Sequence, residues 1–305
     1  MKLLVATEKP FHPDAVSQIR DIAQKAGYEF ALLEKYTDKA DLIEAVKSAE
    51  ALIIRSDKIT ADVIDKAEKL KIIVRAGAGF DNVDTAAAAQ KDITVMNTPG
   101  QNSNAVAELA FGMMVFLARG KFNGKPGTEL KEKTLGIHAY GNVGLNVARI
   151  AKGFGMEVCA YDAYVDKETI EKDGVKALNS AEELYSKCQY VSLHIPANEQ
   201  TKESINYKLL SVMPENAVLV NTARKEVVHE SDLEKVLKDR TDFSYISDIA
   251  PDNRELLEKE FADRTFFTPK KMGAQTAEAN INAGVAAAQQ IVNFIEKGDT
   301  TYKVN

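Results

Sequence analysis

Residues 134–162, TLGIHAYGNVGLNVARIAKGFGMEVCAYD, have the types and spacing that hold a pyrophosphate and a ribose. An apolar run with Leu135 and Ile137 enters the turn Ala139-Tyr140-Gly141-Asn142-Val143-Gly144. Val143, Val147, Ile150 and Phe154 follow at helical spacing, and a second apolar run ends on Asp162. This order of strand, tight turn, helix, strand and acid is that of a dinucleotide-binding unit. Gly141 lets backbone approach the pyrophosphate, and Gly144 lets the helix pack closely on its strand. The helix N-terminus adds free N–H groups and a positive dipole end. Asp162 lies 18 residues past Gly144, near the spacing of about 20 at which a carboxylate grips the ribose 2′-hydroxyl. No arginine follows Asp162 directly, which favours NAD over NADP. Ala139 stands where the fingerprint has its first glycine; alanine costs little there if φ stays negative, and that is the expectation.

The rest of the chain supplies the elements that position this unit. With 305 residues, 45% hydrophobic and 28% charged, it has room for two domains around large cores. A net charge of −6 without a long basic run excludes a nucleic-acid footprint. No leader or membrane-spanning segment is expected, because Met1-Lys2 opens directly into the strand-like LLVAT. Cys159 and Cys188 sit in strand-like contexts without metal-ligand spacing. They read as reduced core residues of a cytoplasmic protein, and no metal is expected. KLLVAT, YEFALL, ALIIR, KIIVRAG and ITVMN are strand candidates before residue 98, with helices such as 14–25 and 61–69 between them. After Thr98-Pro99-Gly100, Ser103 can cap an apolar helix to about Arg119, and 120–133 is a polar connector. YVSLHIP, AVLVNTAR and YISDIA continue a doubly wound parallel sheet. An alanine-rich helix over 276–295 is long and apolar enough to return and cover the first domain.

Several motifs together resemble the D-isomer-specific 2-hydroxyacid dehydrogenases, most of all the branch acting on D-3-phosphoglycerate. RAGAGFDNVD (75–84) matches the family's glycine-rich substrate loop, and NTPGQNSNAVAE (97–108) its hinge and helix start. LHIP (193–196) and VNTAR (220–224) match loops after later cofactor-domain strands. The resemblance implies an α/β fold of two parallel-sheet domains: a flavodoxin-like substrate-binding domain, 1–97 with 273–305, and a Rossmann NAD-binding domain, 98–272. It implies NAD contacts from Ala139, Tyr140, Gly141, Asn142, Val143, Gly144 and Asp162, joined by His194, Pro196, Thr222, Asp248 and Gly273. It implies that Arg224 holds the substrate carboxylate with the N–H groups of Gly77 and Ala78, that Asn104 also binds substrate, and that Arg55 and Arg75 meet a phosphate. A planar guanidinium fork suits a carboxylate best. The implied activity is NAD-dependent oxidation of D-3-phosphoglycerate to 3-phosphohydroxypyruvate, the first step of serine biosynthesis, in a cytoplasmic homodimer acting on a small phosphorylated 2-hydroxy acid, with no nucleic acid or membrane involved.

The acid–base position breaks the family pattern. Relatives carry Pro-His before the Gly-Ala turn and a glutamate upstream; here the turn is Thr268-Pro269-Lys270-Lys271-Met272-Gly273-Ala274, and the glutamate's place falls on Asn253. None of the four histidines fills the gap: His194 belongs to the LHIP loop, His138 to the first strand of the dinucleotide unit, and His12 and His229 precede helices. Losing both members is coherent if lysine takes over. An imidazole of pKa about 6.5 needs a glutamate to keep its proton, whereas an ammonium of about 10.4 does not. As a base, an amine must first shed that proton, so oxidation is expected to rise past pH 8. Counting forward from Thr268-Pro269 selects Lys270; counting back from Gly273-Ala274 selects Lys271. A hydroxypyruvate or glyoxylate reductase is the alternative enzyme, and a non-catalytic NAD-binding sensor the alternative of another class. Lys225 also replaces the glycine usual after Arg224, which leaves the backbone of that loop open.

Overall fold

A computed structural model describes residues 1–305. The chain runs β1 (Lys2–Thr7), α1 (Pro13–Lys25), β2 (Glu29–Glu34), α2 (Lys39–Val46), β3 (Ala51–Ile54), α3 (Ala61–Lys66), β4 (Ile72–Arg75), α4 (Thr85–Gln90) and β5 (Thr94–Asn97). It continues through α5 (Ser103–Ala118), β6 (Thr134–His138), α6 (Asn142–Gly153), β7 (Glu157–Tyr161), α7 (Lys167–Lys172), β8 (Lys176–Ala177), α8 (Ala181–Lys187), β9 (Tyr190–Leu193) and α9 (Tyr207–Ser211). β10 (Val218–Asn221), α10 (Glu230–Asp239), β11 (Ser244–Ser247), α11 (Arg254–Glu260), β12 (Thr265–Phe267) and α12 (Ala277–Lys297) complete it. Two compact units result, one made of 1–102 with 275–305 and the other of 103–274. Both boundaries lie a few residues C-terminal of the positions expected from the hinge and the Gly-Ala turn.

The first unit holds a five-stranded parallel sheet in the order β2-β1-β3-β4-β5. Ala51 to Ile54 and Ile72 to Val74 are buried without alternation. Such continuous apolar runs occur where helices cover both faces of a sheet. α1 starts cleanly because His12 accepts from the Asp14 N–H and Pro13 presets φ at the first turn. Its buried Ala15, Ile19 and Ala23 recur every four residues and lie in one core with Ala283, Ala287 and Ile291 of α12. Thr276 caps α12 through the Ala279 N–H at 3.1 Å. The alanine stripe lets this 21-residue helix lie against β-strand side chains of Leu3, Val5 and Val74. Burying Ile291 completely contributes about 1.5–3 kcal/mol.

The second unit holds a seven-stranded parallel sheet, β12-β11-β10-β9-β6-β7-β8. Chain order reverses at β6, which has β7 on one side and β9 on the other. That is the switch point at which open α/β sheets bind ligands beyond the carboxyl ends of their strands. β8 and β12, of two and three residues, are too short to show a period in sequence. Both cysteines are free and buried. No helix is long and apolar enough to cross a membrane.

Candidate active site

Apart from the hinge motif that carries Asn104 into α5, the motifs of the second unit each follow the carboxyl end of a strand: residues 139–144 after β6, Asp162 after β7, His194 and Pro196 after β9, Thr222 and Arg224 after β10, Asp248 after β11, and the lysine turn after β12. Because the strands are all parallel, these loops share one edge of the sheet.

At the dinucleotide turn the backbone explains each glycine. A Cβ on Gly144 would lie 2.5 Å from the Ala139 carbonyl oxygen, so only glycine lets α6 start this close to β6. Around Gly141 the reverse holds, since a Cβ there would meet nothing within 4 Å. Its φ of −84° suits any residue, so the need for glycine is not conformational but lies in keeping the space ahead of the turn open. The first bond of α6 is donated by Leu145 to the Gly141 carbonyl at 2.9 Å, and the preceding amides point out of the helix end. The expectation for Ala139 is corrected. Its φ is +81°, a left-handed conformation that costs an L-residue about 1–2 kcal/mol. Neighbouring bonds over-determine it: the Ala139 N–H reaches the Tyr161 carbonyl at 2.9 Å, and the Tyr140 N–H reaches Asp162 Oδ2 at 2.6 Å.

Asp162 is thereby fixed in place. Its Oδ1 accepts from the Tyr164 and Val165 amides at 2.7 and 3.0 Å. The carboxylate borders a cavity of about 440 Å³ lined by His138, Tyr164, Pro196 and Leu209 among others, with Lys208 but no arginine on its wall. His138 sits 3.3 Å from the Tyr185 hydroxyl, and burial pushes its pKa down to about 4. Burial, with His138 nearby, lowers His194 to about 3. Both imidazoles are neutral at pH 7. His194 Nδ1 faces Thr222 Oγ1 at 3.5 Å, while its buried Nε2 has no hydrogen-bond partner in the protein. An open turn, a fixed carboxylate, a helix N-terminus and an orphaned buried nitrogen fit a dinucleotide.

Arg224 is held by a residue that the motif reading passed over. The buried Asn221 accepts from the Ala223 N–H at 2.9 Å and donates to the Arg224 carbonyl at 3.0 Å, closing the turn that presents the guanidinium. Lys225 pairs with Asp252, and Glu230 accepts from the Asp252 and Asn253 amides at 2.8 and 3.3 Å. These bonds hold the segment where relatives carry the glutamate. In the lysine turn, Asp248 Oδ1 accepts from Thr268 Oγ1 at 2.9 Å and the Met272 N–H at 2.8 Å, and Oδ2 from the Gly273 N–H at 2.8 Å. Lys270 and Lys271 are both exposed, and the geometry leaves the choice between them open. His12 and His229 pair with Asp14 and Asp232 at the starts of α1 and α10.

In the first unit the loops at the carboxyl edge carry Arg55, Arg75, Gly77 and Ala78. Gly77 has φ +148°, and a Cβ there would lie 1.6 Å from Arg75 Nη1, so the guanidinium rests on a bare Cα. The Gly77 and Ala78 carbonyls accept from the Thr98 N–H at 2.9 Å and Asn97 Nδ2 at 2.6 Å. Arg75 and Lys58 border a cavity of about 470 Å³. Arg55 Nη1 donates to the Lys9 and Pro10 carbonyls at 3.1 and 2.9 Å, and the guanidinium lies 5.3 Å from the Phe11 ring centroid. Burial lowers its pKa, with Asp57 acting against the shift. Asp57, buried and absent from the motif reading, accepts from the Arg55 and Glu8 amides at 3.1 and 2.7 Å and from the Tyr36 hydroxyl at 2.8 Å. Asn104, on α5 of the second unit, donates to Glu108 at 2.7 Å and accepts from Arg149 at 2.7 Å.

Residues 105–269 match the sequence model of the D-isomer specific 2-hydroxyacid dehydrogenase, NAD binding domain. The chain belongs to the D-isomer specific 2-hydroxyacid dehydrogenase family. Its second unit is the NAD-binding domain. A crystal structure of 3-phosphoglycerate dehydrogenase from Entamoeba histolytica with NAD+ bound is 48% identical, with a TM-score of 0.89, covering 100% of this chain and 98% of that one. D-3-phosphoglycerate dehydrogenase of Methanocaldococcus jannaschii is 36% identical over 309 residues, 95% of this chain and 57% of its own length. This chain thus spans little more than half of that relative. Hydroxypyruvate reductase of Thermotoga maritima is 34% identical over 281 residues, covering 86% of this chain and 90% of its own.

Proposed function

We propose that the protein interconverts D-3-phosphoglycerate and 3-phosphohydroxypyruvate with NAD, at the entry to serine biosynthesis, as a cytoplasmic homodimer. The observation that carries this reading is full-length similarity, at 48% identity, to an NAD+-bound 3-phosphoglycerate dehydrogenase. The nicotinamide supplies or accepts the hydride when bound. Arg224 holds the substrate carboxylate through its planar fork, with the Gly77 and Ala78 amides as further donors. Lys270 or Lys271 gives a proton to the C2 oxygen in reduction and takes it back in oxidation. Arg55 and Arg75 meet the phosphate, Arg55 through the N–H groups not held by Lys9 and Pro10, and Asn104 lines the same substrate. Residues 139–144 and Asp162 hold pyrophosphate and ribose; His194, Pro196, Thr222 and Gly273 contact the rest of the cofactor. Leu145 and Phe154, apolar and exposed at opposite ends of α6, are the side chains we assign to the homodimer's contact surface. Light scattering that gives a monomer mass for wild type removes that part of the proposal.

The test is NADH consumption with 3-phosphohydroxypyruvate and with hydroxypyruvate, for wild type, Lys270→Ala and Lys271→Ala. Turnover favouring the phosphorylated substrate at least 100-fold in kcat/KM, with one lysine variant collapsing, is the expected result. The Thermotoga relative favours a second reading, a hydroxypyruvate reductase, and equal or better turnover of hydroxypyruvate selects it. NADH binding without reduction of either keto acid refutes both and leaves a non-catalytic sensor.

A further inference from the structure

The two cysteines of the chain, which the chemistry above leaves unused, come together in the core of the second unit. Cys159 lies on β7, and Cys188, 29 residues on, follows the last turn of α8. Gly136, the cross-strand partner of Cys159 on β6, makes the room: a Cβ there would lie 3.0 Å from Cys188 Cβ and 3.1 Å from its Sγ. Partners across a ladder share a face of the sheet, so the missing side chain lets Cys188 settle beside Cys159. The two thiols are hydrogen-bonded to each other. That bond, with the ammonium groups of Lys176 and Lys187 nearby, draws the Cys159 thiol below its ordinary pKa against the opposing effects of burial and Glu157. The same bond, with burial, pushes Cys188 up. Access differs in the same sense, since Cys159 keeps 9% of its surface exposed and Cys188 none. One sulfur has thiolate character and a path to solvent; the other is a buried thiol in contact with it.

We infer that Cys159 and Cys188 form a reversible oxidation site for small hydroperoxides, Cys159 taking the oxidant and Cys188 resolving the product as a disulfide. The thiolate is the nucleophile in such chemistry. The Cys159 sulfur attacks one oxygen of hydrogen peroxide: an S–O bond forms, the O–O bond breaks, and hydroxide leaves to become water with the proton that Cys159 gave up. Cys188 then attacks the sulfur of the Cys159 sulfenic acid. The S–S bond forms, the S–O bond breaks, and the hydroxyl leaves with the Cys188 proton as a second water. The pair of thiols is oxidised by two electrons, and the peroxide is reduced to water. Without the second sulfur, oxidation runs on to a sulfinic acid, which thiol reductants do not reverse. A sulfinate is an anion, and here it would stand in an apolar core with Leu184 and Tyr185, where an unpaired charge is costly. The segment 159–188 also carries Tyr161, Asp162, Ala181 and Glu182, all on the wall of the cavity that Asp162 borders. A disulfide is neutral and leaves that wall in place.

The test exposes wild type, Cys159→Ser and Cys188→Ser, as folded full chains, to a modest excess of hydrogen peroxide. Alkylation, intact mass and peptide mapping follow, the mapping setting methionine oxidation apart. Expected for wild type is the loss of both thiols and of two hydrogen atoms in mass. The peptides around 159 and 188 are joined within one chain and separate again in dithiothreitol. Cys159→Ser loses its remaining thiol at least about tenfold more slowly. Cys188→Ser accumulates a sulfenic acid at Cys159, which dimedone traps, and then a sulfinic acid. After dithiothreitol, the NADH Kd of wild type returns to within about twofold of its untreated value, and that of Cys188→Ser stays at least about tenfold weaker. Wild type that keeps both thiols, that links only between chains, or that links only once unfolded in urea overturns the inference. So does a Cys159→Ser chain oxidised as fast as wild type, or a Cys188→Ser chain that recovers as fully. If either variant does not fold, the wild-type peptide map and the concentration independence of its thiol loss decide.

Discussion

Substituting Gly144 and Gly141 by alanine, one at a time, separates packing from binding in the dinucleotide turn. At Gly144 the new Cβ arrives 2.5 Å from the Ala139 carbonyl oxygen and 3.1 Å from Ile137 Cγ2. Restoring ordinary contact at about 3.4 Å moves helix from strand by roughly 0.9 Å at the oxygen, and overpacking of that kind costs about 1–3 kcal/mol. Alanine recovers up to about 0.8–1.0 kcal/mol of helix propensity, leaving a net loss of about 1 kcal/mol at the middle of that range. For a domain of this size each kcal/mol lowers Tm by about 2–4 °C. At Gly141 a methyl group meets nothing within 4 Å and φ is already −84°, so the cost to stability is only that of alanine as a poorer N-cap, about 0.5–1 kcal/mol. That methyl group fills the space assigned to the pyrophosphate, and NADH affinity falls at least about tenfold, or about 1.4 kcal/mol. Urea unfolding and fluorescence titration with NADH read the two effects separately. Wild-type affinity in Gly141→Ala would refute the placement of the pyrophosphate. Wild-type stability in Gly144→Ala would refute the close helix–strand approach.

Acid should weaken the fold partly through His138. Its folded pKa of about 4 lies below the ordinary 6.5, so the unfolded chain takes up the proton first. The contribution is complete above pH 6.5 and is lost as pH falls toward 4. At pH 5.5 the loss is on the order of 1 kcal/mol, and His138→Phe, keeping the contact with Tyr185, should flatten the pH dependence of urea stability by that amount. Parallel curves for the two proteins would show that the imidazole is not held neutral. Ala139→Gly relieves a left-handed alanine and should raise unfolding stability by up to about 1 kcal/mol. A loss of stability instead would mean that the turn keeps φ negative in solution.

Sequence carried the parts of this architecture that depend on period and spacing. The glycine turn, Asp162, NTAR and the apolar strand runs declare themselves because each needs particular residue types at fixed intervals. Ala139 was misjudged because a residue's φ is set by the bonds of its neighbours, here Tyr161 and Asp162, which lie 22 and 23 residues on. The supports were harder to read than the groups they support. Asn221 closes its loop by bonds within three residues but looks like any strand-ending asparagine. Asp57 and Thr268 act through backbone groups that any sequence would offer. Asp248 was read as a cofactor contact, and the bonds it also makes to 268–273 become visible only once β11 and β12 are paired.

The division of the first unit into 1–102 and 275–305 has a consequence for synthesis. Strands β1 to β5 leave the ribosome roughly 180 residues before α12, the helix that seals the face bearing Leu3, Val5 and Val74. At about 5–20 residues per second that face waits about 10–40 s, longer than a compact parallel domain needs to form. The intervening segment can complete its own sheet in that interval, so the nascent chain acquires its middle before its beginning. A ribosome-stalled intermediate should resist protease across 103–274 while the N-terminal sheet remains open to chaperones.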